Sequence, residues 1–294
     1  MSAMAGFNGC GLGVKDTNYV IYHVDKDKTE KTGLEPPGPV DMRIALVESS
    51  NCYFINLIND KKLYKQLADI YSAVGVSINK EASYRLDYST YDPNSDWKRQ
   101  IISQENKAAS IYQRYVKNRL DKEGRPTNIK KMRLHPAWFW AWGQGTMDAT
   151  PLSMARVASI PANNGYMPIT RYLLSDKVNS VQVMKSAEAN ALNSIMKAES
   201  REHSHFTEQN IGGKTGTAER VMPSKTKRQN RRNDAWYMCF IENVKVRTNG
   251  QEQTTSLAIA LRIERLYGGE HSSHASRFIR EHLLDILAES GYTF

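Results

Sequence analysis

Gly212-Gly213-Lys214-Thr215-Gly216-Thr217-Ala218-Glu219 brings a cation, two hydroxyls and three glycines into one short extended run. Strand periodicity over Ile211 to Val221 sets Thr215 and Thr217 on one face and Lys214 on the other. Gly216 carries no side chain, so the backbone of a ligand could approach the strand closely. On a strand edge, a Lys-Thr-Gly triplet can hold a carboxylate beside a reacting carbonyl. Taken alone, the triplet also reads as the start of a glycine-rich hairpin with a surface lysine, because three residues make a weak motif. A second copy, Lys31-Thr32-Gly33, lies among Asp25, Lys26, Asp27, Lys28 and Glu30, ahead of Pro36-Pro37-Gly38-Pro39. That composition predicts a solvated loop.

Strand patterns continue after the glycine-rich run. Ala235 to Val246 alternates Tyr237, Cys239 and Ile241 against Met238, Phe240 and Glu242, and Thr254 to Glu264 is a third apolar strand. Asn249-Gly250 between them is a hairpin signal. Ser273 to Leu287 predicts a closing helix through Phe278, Leu283, Ile286 and Leu287. Before the run the patterns are helical. Asp41 starts one helix, Ser49-Ser50-Asn51 makes a turn, and Tyr53, Phe54, Leu57 and Ile58 lie on the next. Further helices are predicted for Lys62–Val74, Gln100–Leu120, Pro151–Ala162 and Ala187–Glu199. Ser83–Asp96 is read as a loop and Gly124–Pro136 as a basic connector. The chain thus divides into an irregular lead-in (1–40), a mainly helical region (41–205) and three antiparallel strands with a terminal helix (206–294).

Three further segments give the triplet its context: Ala45-Leu46-Val47-Glu48-Ser49-Ser50-Asn51-Cys52-Tyr53-Phe54, the block from Trp142-Gly143-Gln144-Gly145 through Thr150-Pro151-Leu152-Ser153-Met154-Ala155, and Ala235-Trp236-Tyr237. In this order, from about Asp41 to the C-terminus, they resemble the transpeptidase domain of class B, monofunctional penicillin-binding proteins. Ser49-Ser50-Asn51 matches the Ser-x-Asn motif of that family, and Lys214-Thr215-Gly216 its Lys-Thr-Gly.

The resemblance implies an α/β (α+β) fold of the DD-peptidase/β-lactamase kind, an antiparallel sheet flanked by helices. It implies acyl transfer between peptidoglycan stem peptides ending in D-Ala-D-Ala, with β-lactams as inhibitors. Ser49 would relay a proton to the leaving amine, and Asn51 would hydrogen-bond the amide of the substrate. Lys214 would polarise Ser49, while Thr215, Gly216 and Thr217 would hold the carboxylate, with the Thr217 N–H as one oxyanion donor. In the family the nucleophile is the serine of a Ser-x-x-Lys motif lying before Ser-x-Asn. Four matches occur here, Ser77 to Lys80, Ser95 to Lys98, Ser194 to Lys197 and Ser224 to Lys227, and all follow Ser49. All four are read as chance, Ser95-Asp96-Trp97-Lys98 as part of a polar loop. The expectation is a domain that begins after its nucleophile and lacks two sheet strands and a membrane anchor. Such a domain would be of low stability and show little turnover alone. The parent would work at the extracytoplasmic face of the membrane beside a membrane glycan polymerase. A silent remnant that binds a partner or cell-wall peptide is the alternative.

Composition fits a globular protein: 40% of the 294 residues are hydrophobic and 24% charged. No apolar run approaches the roughly 20 residues of a membrane helix. Cys10, Cys52 and Cys239 are too few and too scattered for a disulfide framework or a zinc site, with Cys52 and Cys239 in apolar runs expected to be buried. His203-x-His205 and His271-x-x-His274 read as solvated, so no metal and no cofactor is expected. The net charge of +9 favours anionic partners. The basic run Arg220 to Arg232 lacks the interleaved aromatics of a nucleic-acid platform and reads as a solvated loop between two strands rather than a nucleic-acid site, and the resemblance implies that it borders the active-site groove. Trp138-Phe139-Trp140-Ala141-Trp142 reads as core or groove wall ahead of a carbohydrate surface.

Overall fold

The computed structural model describes residues 21–23, 38–78, 96–117, 136–171, 173, 175–221, 231–248, 250–266 and 273–294. Lys31-Thr32-Gly33 and most of the basic run lie outside them, as do Cys10, the side chain of Cys52 and the first histidine of His271-x-x-His274. Within the lead-in expected to be irregular, β1 (Ile21–His23) pairs antiparallel with β2 (Gly38–Val40).

Asp41 caps α1 (Met42–Val47), its carboxylate accepting from the Ile44 N–H at 2.8 Å. Ser50 caps α2 (Asn51–Asp60) by accepting from the Tyr53 N–H at 3.1 Å. These caps satisfy amides that have no partner inside the helix, and Ser49 lies between the C-cap of the first helix, Glu48, and the N-cap of the second, Ser50. Then come α3 (Tyr64–Val74), ended by Gly75 at φ 76°, and β3 (Ser77–Ile78).

The next helical stretch departs from the sequence reading. Helix α4 (Asp96–Ser103) begins before the expected Gln100, and a break at Gln104 separates it from α5 (Glu105–Lys117). Lys98, assigned to a polar loop, is instead on a helix and 2% exposed, with its Nζ 2.8 Å from Asp69 Oδ1 on α3. The surrounding Asp, Pro and Asn residues suggested a loop, but a long-range ion pair draws this lysine inward. The aromatic segment Pro136–Trp142 is a 3-10 helix whose Trp138 and Ala141 are buried, so it builds core. It leads to β4 (Met147–Asp148), which pairs with β3.

Helix α6 (Pro151–Ala162) starts at a capping box between Thr150 and Ser153. A short pair, β5 (Tyr166–Pro168) with β6 (Ser180–Gln182), precedes α7 (Ser186–Glu202). The sheet follows: β7 (Ile211–Val221), β8 (Arg231–Thr248) and β9 (Gln251–Leu266), with β8 in the centre. The last helix, α8, runs as Ser273–Phe278, a π-helical turn Ile279–Leu283 and Leu284–Glu289. It ends in β10 (Tyr292–Thr293), a strand the sequence did not reveal, which pairs with the far end of β8.

The alternation along β8 separates two cores. Met238 and Phe240 face the helices α1–α7, joined there by Ala258 and Ala260 of β9. Tyr237, Cys239 and Ile241 face α8, where Ala275, Ile279 and Leu284 meet them. The result is helices, antiparallel sheet, helix. Each large apolar side chain fully buried on β8 contributes about 1.5–3 kcal/mol. Among the described residues, β7 and β9 each pair along the sheet with β8 alone, so one edge of β7 is left for other contacts.

Candidate active site

Ser49 takes a left-handed conformation, φ 59°, at the junction of α1 and α2. A non-glycine residue there costs roughly 1–3 kcal/mol and is held by its surroundings. Here the N–H of Ser50, which is fully buried, donates to the Ala45 carbonyl at 2.8 Å, closing α1 and turning the exposed Ser49 outward. Asn51, two residues on, is the first residue of α2 and half-buried.

The strand β7 brings the other candidates to the same place. Lys214 Nζ donates to Ser49 Oγ at 2.5 Å, joining residues 165 apart in the chain. In register Lys214 lies opposite Met238 and Thr215 opposite Tyr237, so their Cβ atoms leave opposite faces as expected. The long lysine side chain nevertheless folds back at the strand edge, and its Nζ also donates to Thr215 Oγ1 at 3.1 Å. Gly216 lies opposite Trp236, and a Cβ there would meet only Trp236 Cβ at 3.5 Å, an ordinary contact. Packing within the chain does not require glycine at this position, unlike Gly212 and Gly213, where a Cβ would run into Phe240 and Tyr237.

Two residues near the triplet received no role from the sequence. Gln144, in the Gly-Gln-Gly block, donates from Nε2 to the Thr217 carbonyl at 3.1 Å, while Trp142 Nε1 donates to its Oε1 at 3.0 Å. The block thereby docks on the outer edge of β7. Glu199 of α7 is fully buried, and its Oε1 accepts from both the Thr215 N–H and Thr215 Oγ1 at 3.1 Å, and from Lys214 Nζ at 3.5 Å. Its Oε2 accepts from Ser204 Oγ at 3.1 Å. A signal was present: Leu192, Ile195, Met196 and Glu199 share one buried helical stripe, so a carboxylate falls on a core position. A buried charge is held only where it is paired and hydrogen-bonded.

Burial depresses the proton affinity of Lys214 below the usual lysine range, while the charges of Glu199 and, more weakly, Glu48 oppose that fall. Burial also raises the Tyr237 phenol well above its ordinary value, and its hydroxyl lies 3.0 Å from Ser200 Oγ. Among the Ser-x-x-Lys matches, Lys98 pairs with Asp69 and Lys197 with Glu242. Ser194 Oγ donates to the Asn190 carbonyl of its own helix at 3.0 Å, and Ser77 lies in β3. Lys80, Ser95, Ser224 and Lys227 fall outside the described residues. Among the described residues, no cluster of three or more His, Cys, Asp or Glu is placed to hold a metal, and no helix is long and apolar enough to cross a membrane.

A family profile for the penicillin binding protein transpeptidase domain matches residues 14–248. The chain belongs to this family. No curated protein sequence matches it. Solved structures agree on the fold. The transpeptidase domain of Burkholderia pseudomallei penicillin-binding protein 3 aligns over 98% of this chain and 78% of its own, at 12% identity and a TM-score of 0.55. A putative peptidoglycan glycosyltransferase of Atopobium parvulum aligns over 98% of this chain at 14% identity and a TM-score of 0.58. PBP2 of Pseudomonas aeruginosa aligns over 97% at 15% identity and 0.54. This transpeptidase-family chain spans 61% and 60% of the length of the latter two. Domains of this family act on peptidoglycan.

Proposed function

We propose that this chain provides the carboxylate clamp and proton relay of a D,D-transpeptidase site, which takes the D-Ala-D-Ala end of a stem peptide and the β-lactams that imitate it. The observation that carries this reading is the contact of Lys214 Nζ with Ser49 Oγ, because it joins the Lys-Thr-Gly and Ser-x-Asn segments into one polar cluster. In this reading Thr217 holds the ligand carboxylate, and Lys214, whose donors face Ser49, Thr215 and Glu199, attracts it by its charge. Thr215 acts through the lysine, since its hydroxyl accepts from Lys214 Nζ and donates to Glu199. Asn51 bonds the ligand amide, and Gly216 leaves room for the ligand backbone against β7. The Thr217 N–H serves as an oxyanion donor. Ser49 delivers a proton to the amine that leaves, as a general acid works best when pre-aimed by its neighbours.

These groups bind ligand and move its proton, and none of them is an attacking serine. Without an activated nucleophile, acylation loses several orders of magnitude in rate. The 294-residue chain is therefore expected to bind an N-acyl-D-Ala-D-Ala peptide and a fluorescent penicillin reversibly, without a covalent adduct by mass spectrometry. Lys214→Ala should weaken both ligands about tenfold, because it removes the positive charge beside the ligand carboxylate and frees Ser49 from its donor. Failure of the folded chain to bind either ligand, or binding indifferent to Lys214→Ala, would rule the clamp out. A covalent adduct would instead reject the non-covalent reading and locate the nucleophile by peptide mapping.

A further inference from the structure

We propose that Glu199 is a positioning residue of this site: it keeps Lys214 an ammonium and so directs the Ser49 hydroxyl proton away from the lysine, towards bound ligand. This rests on the clamp-and-relay reading above.

The hydrogen-bond directions carry the inference. A lysine ammonium has three N–H donors and no acceptor. Three acceptors surround Lys214 Nζ: Ser49 Oγ at 2.5 Å, Thr215 Oγ1 at 3.1 Å and Glu199 Oε1 at 3.5 Å. While the nitrogen is charged, Ser49 Oγ must accept from it, and the Ser49 proton points elsewhere. Ser49 is exposed, so that direction is the open side of the cluster. A neutral amine could reverse the bond and take up the Ser49 proton, leaving none to aim at a ligand. The direction of the relay is therefore set by the charge on Lys214.

Two opposed effects act on that charge. Burial of the lysine favours the neutral amine, and a carboxylate within hydrogen-bond reach favours the ammonium. Glu199 is the carboxylate in contact, and its other bonds keep it in place. The Thr215 amide and hydroxyl donate to Oε1, and the Ser204 hydroxyl donates to Oε2. Ser204 is itself fixed by Arg280 of α8, whose guanidinium donates to the Ser204 carbonyl at 2.7 Å. Among the described residues, Glu48 at the end of α1, and Tyr237 and Cys239 of β8, also act on this carboxylate and lysine. Both β8 groups are neutral at physiological pH, and Glu48 is half-buried at the end of α1, so the directly bonded counter-charge comes from Glu199.

Glu199→Gln tests this in the 294-residue chain. The carboxamide oxygen can still accept from the Thr215 N–H, whereas the NH2 in place of Oε2 can no longer accept from Ser204, so Ser204→Ala is the control for that second loss and should leave the Lys214 midpoint in place. The readout is the Lys214 titration, followed by NMR of side-chain-labelled lysine and assigned by its absence in Lys214→Met. The expected result is a Lys214 midpoint displaced further below the usual lysine range in Glu199→Gln and returned towards wild type in Glu199→Asp. Ser200→Ala, which removes the Tyr237 contact on the same helix, should leave the midpoint in place. An unmoved midpoint in folded Glu199→Gln overturns the proposal. Should that variant not fold, Glu199→Asp decides: its carboxylate keeps the charge but withdraws it from Nζ, so the Lys214 midpoint should fall below wild type, and an unmoved midpoint overturns the proposal. Failure of wild type to bind the D-Ala-D-Ala peptide is a separate result, which rejects the substrate reading and leaves the lysine titration to judge Glu199.

Discussion

Glycines 213 and 216 have the same side chain, three residues apart on one strand, and different reasons for being glycine. A Cβ at Gly213 would fall 2.2 Å from the Tyr237 hydroxyl and 2.9 Å from the Met238 carbonyl. Gly213→Ala must push Tyr237 off its seat beside Ser200, and a loss of about 1–3 kcal/mol is expected, as for other overpacked cores. Gly216→Ala meets only an ordinary contact and should change stability by no more than about 0.5 kcal/mol. It should nevertheless weaken binding of the D-Ala-D-Ala peptide, because the added methyl occupies the surface along which a ligand backbone would lie. Denaturant melts and calorimetry on both variants check this. Equal losses of stability would mean that Gly216 is a packing residue. At this scale the sequence showed the candidate residues but not Glu199, because nothing in one dimension says which strand a buried carboxylate faces.

Elements were most legible where local chemistry governs them. Pro151 at the first turn, Thr150 before it and Gly165 after it marked α6, and the structure places the helix at Pro151–Ala162. Its cap is reciprocal: Ser153 N–H donates to Thr150 Oγ1 at 3.1 Å, and Thr150 N–H to Ser153 Oγ at 3.0 Å. Thr150→Ala should cost about 1 kcal/mol, measurable by urea denaturation, since it leaves a helix-end amide without its acceptor. The strand β7 came out with the bounds read from the sequence, Ile211–Val221. The region from 96 to 117 was less legible. Its start is decided by the buried Lys98–Asp69 pair between α4 and α3, and no local propensity encodes a partner on another helix. The strand β10 escaped notice for a related reason. Two residues carry no period, and their pairing with Val246 and Lys245 depends on where α8 ends.

Over the whole molecule, the sheet divides two cores with different chemistry. The face of β8 towards α8 holds Cys239, which is fully buried, and burial with the nearby Glu199 charge pushes its thiol up to about 12 from an ordinary 9.0. The native state thus retains a proton that the unfolded chain releases between these values. Stability carried by this group is complete below pH 9 and is lost as pH rises through about 12. The slope is about 1.4 kcal/mol per pH unit for one proton. Tyr237, also raised by burial, acts in the same sense. Lys214 acts oppositely, because its depressed affinity leaves the native state with fewer protons than the unfolded chain below the ordinary lysine value. Cys239→Ala should flatten the alkaline fall in denaturation free energy while the Lys214 share persists. An unchanged slope would show that the thiol does not titrate on unfolding.

The sequence by itself determined the helices with strong caps, the central strands and their hairpin, and the motif order that marks the transpeptidase family. Each of these depends on neighbours a few residues away, or on short motifs read in line. Tertiary structure alone decided that Ser49 meets Lys214, that Gln144 docks on the edge of β7, and that Lys98 is buried. It also placed Glu199 against Lys214 and Thr215. Those outcomes depend on which surfaces face one another after packing, and on a buried charge finding its counter-charge across the fold, neither of which a linear pattern records.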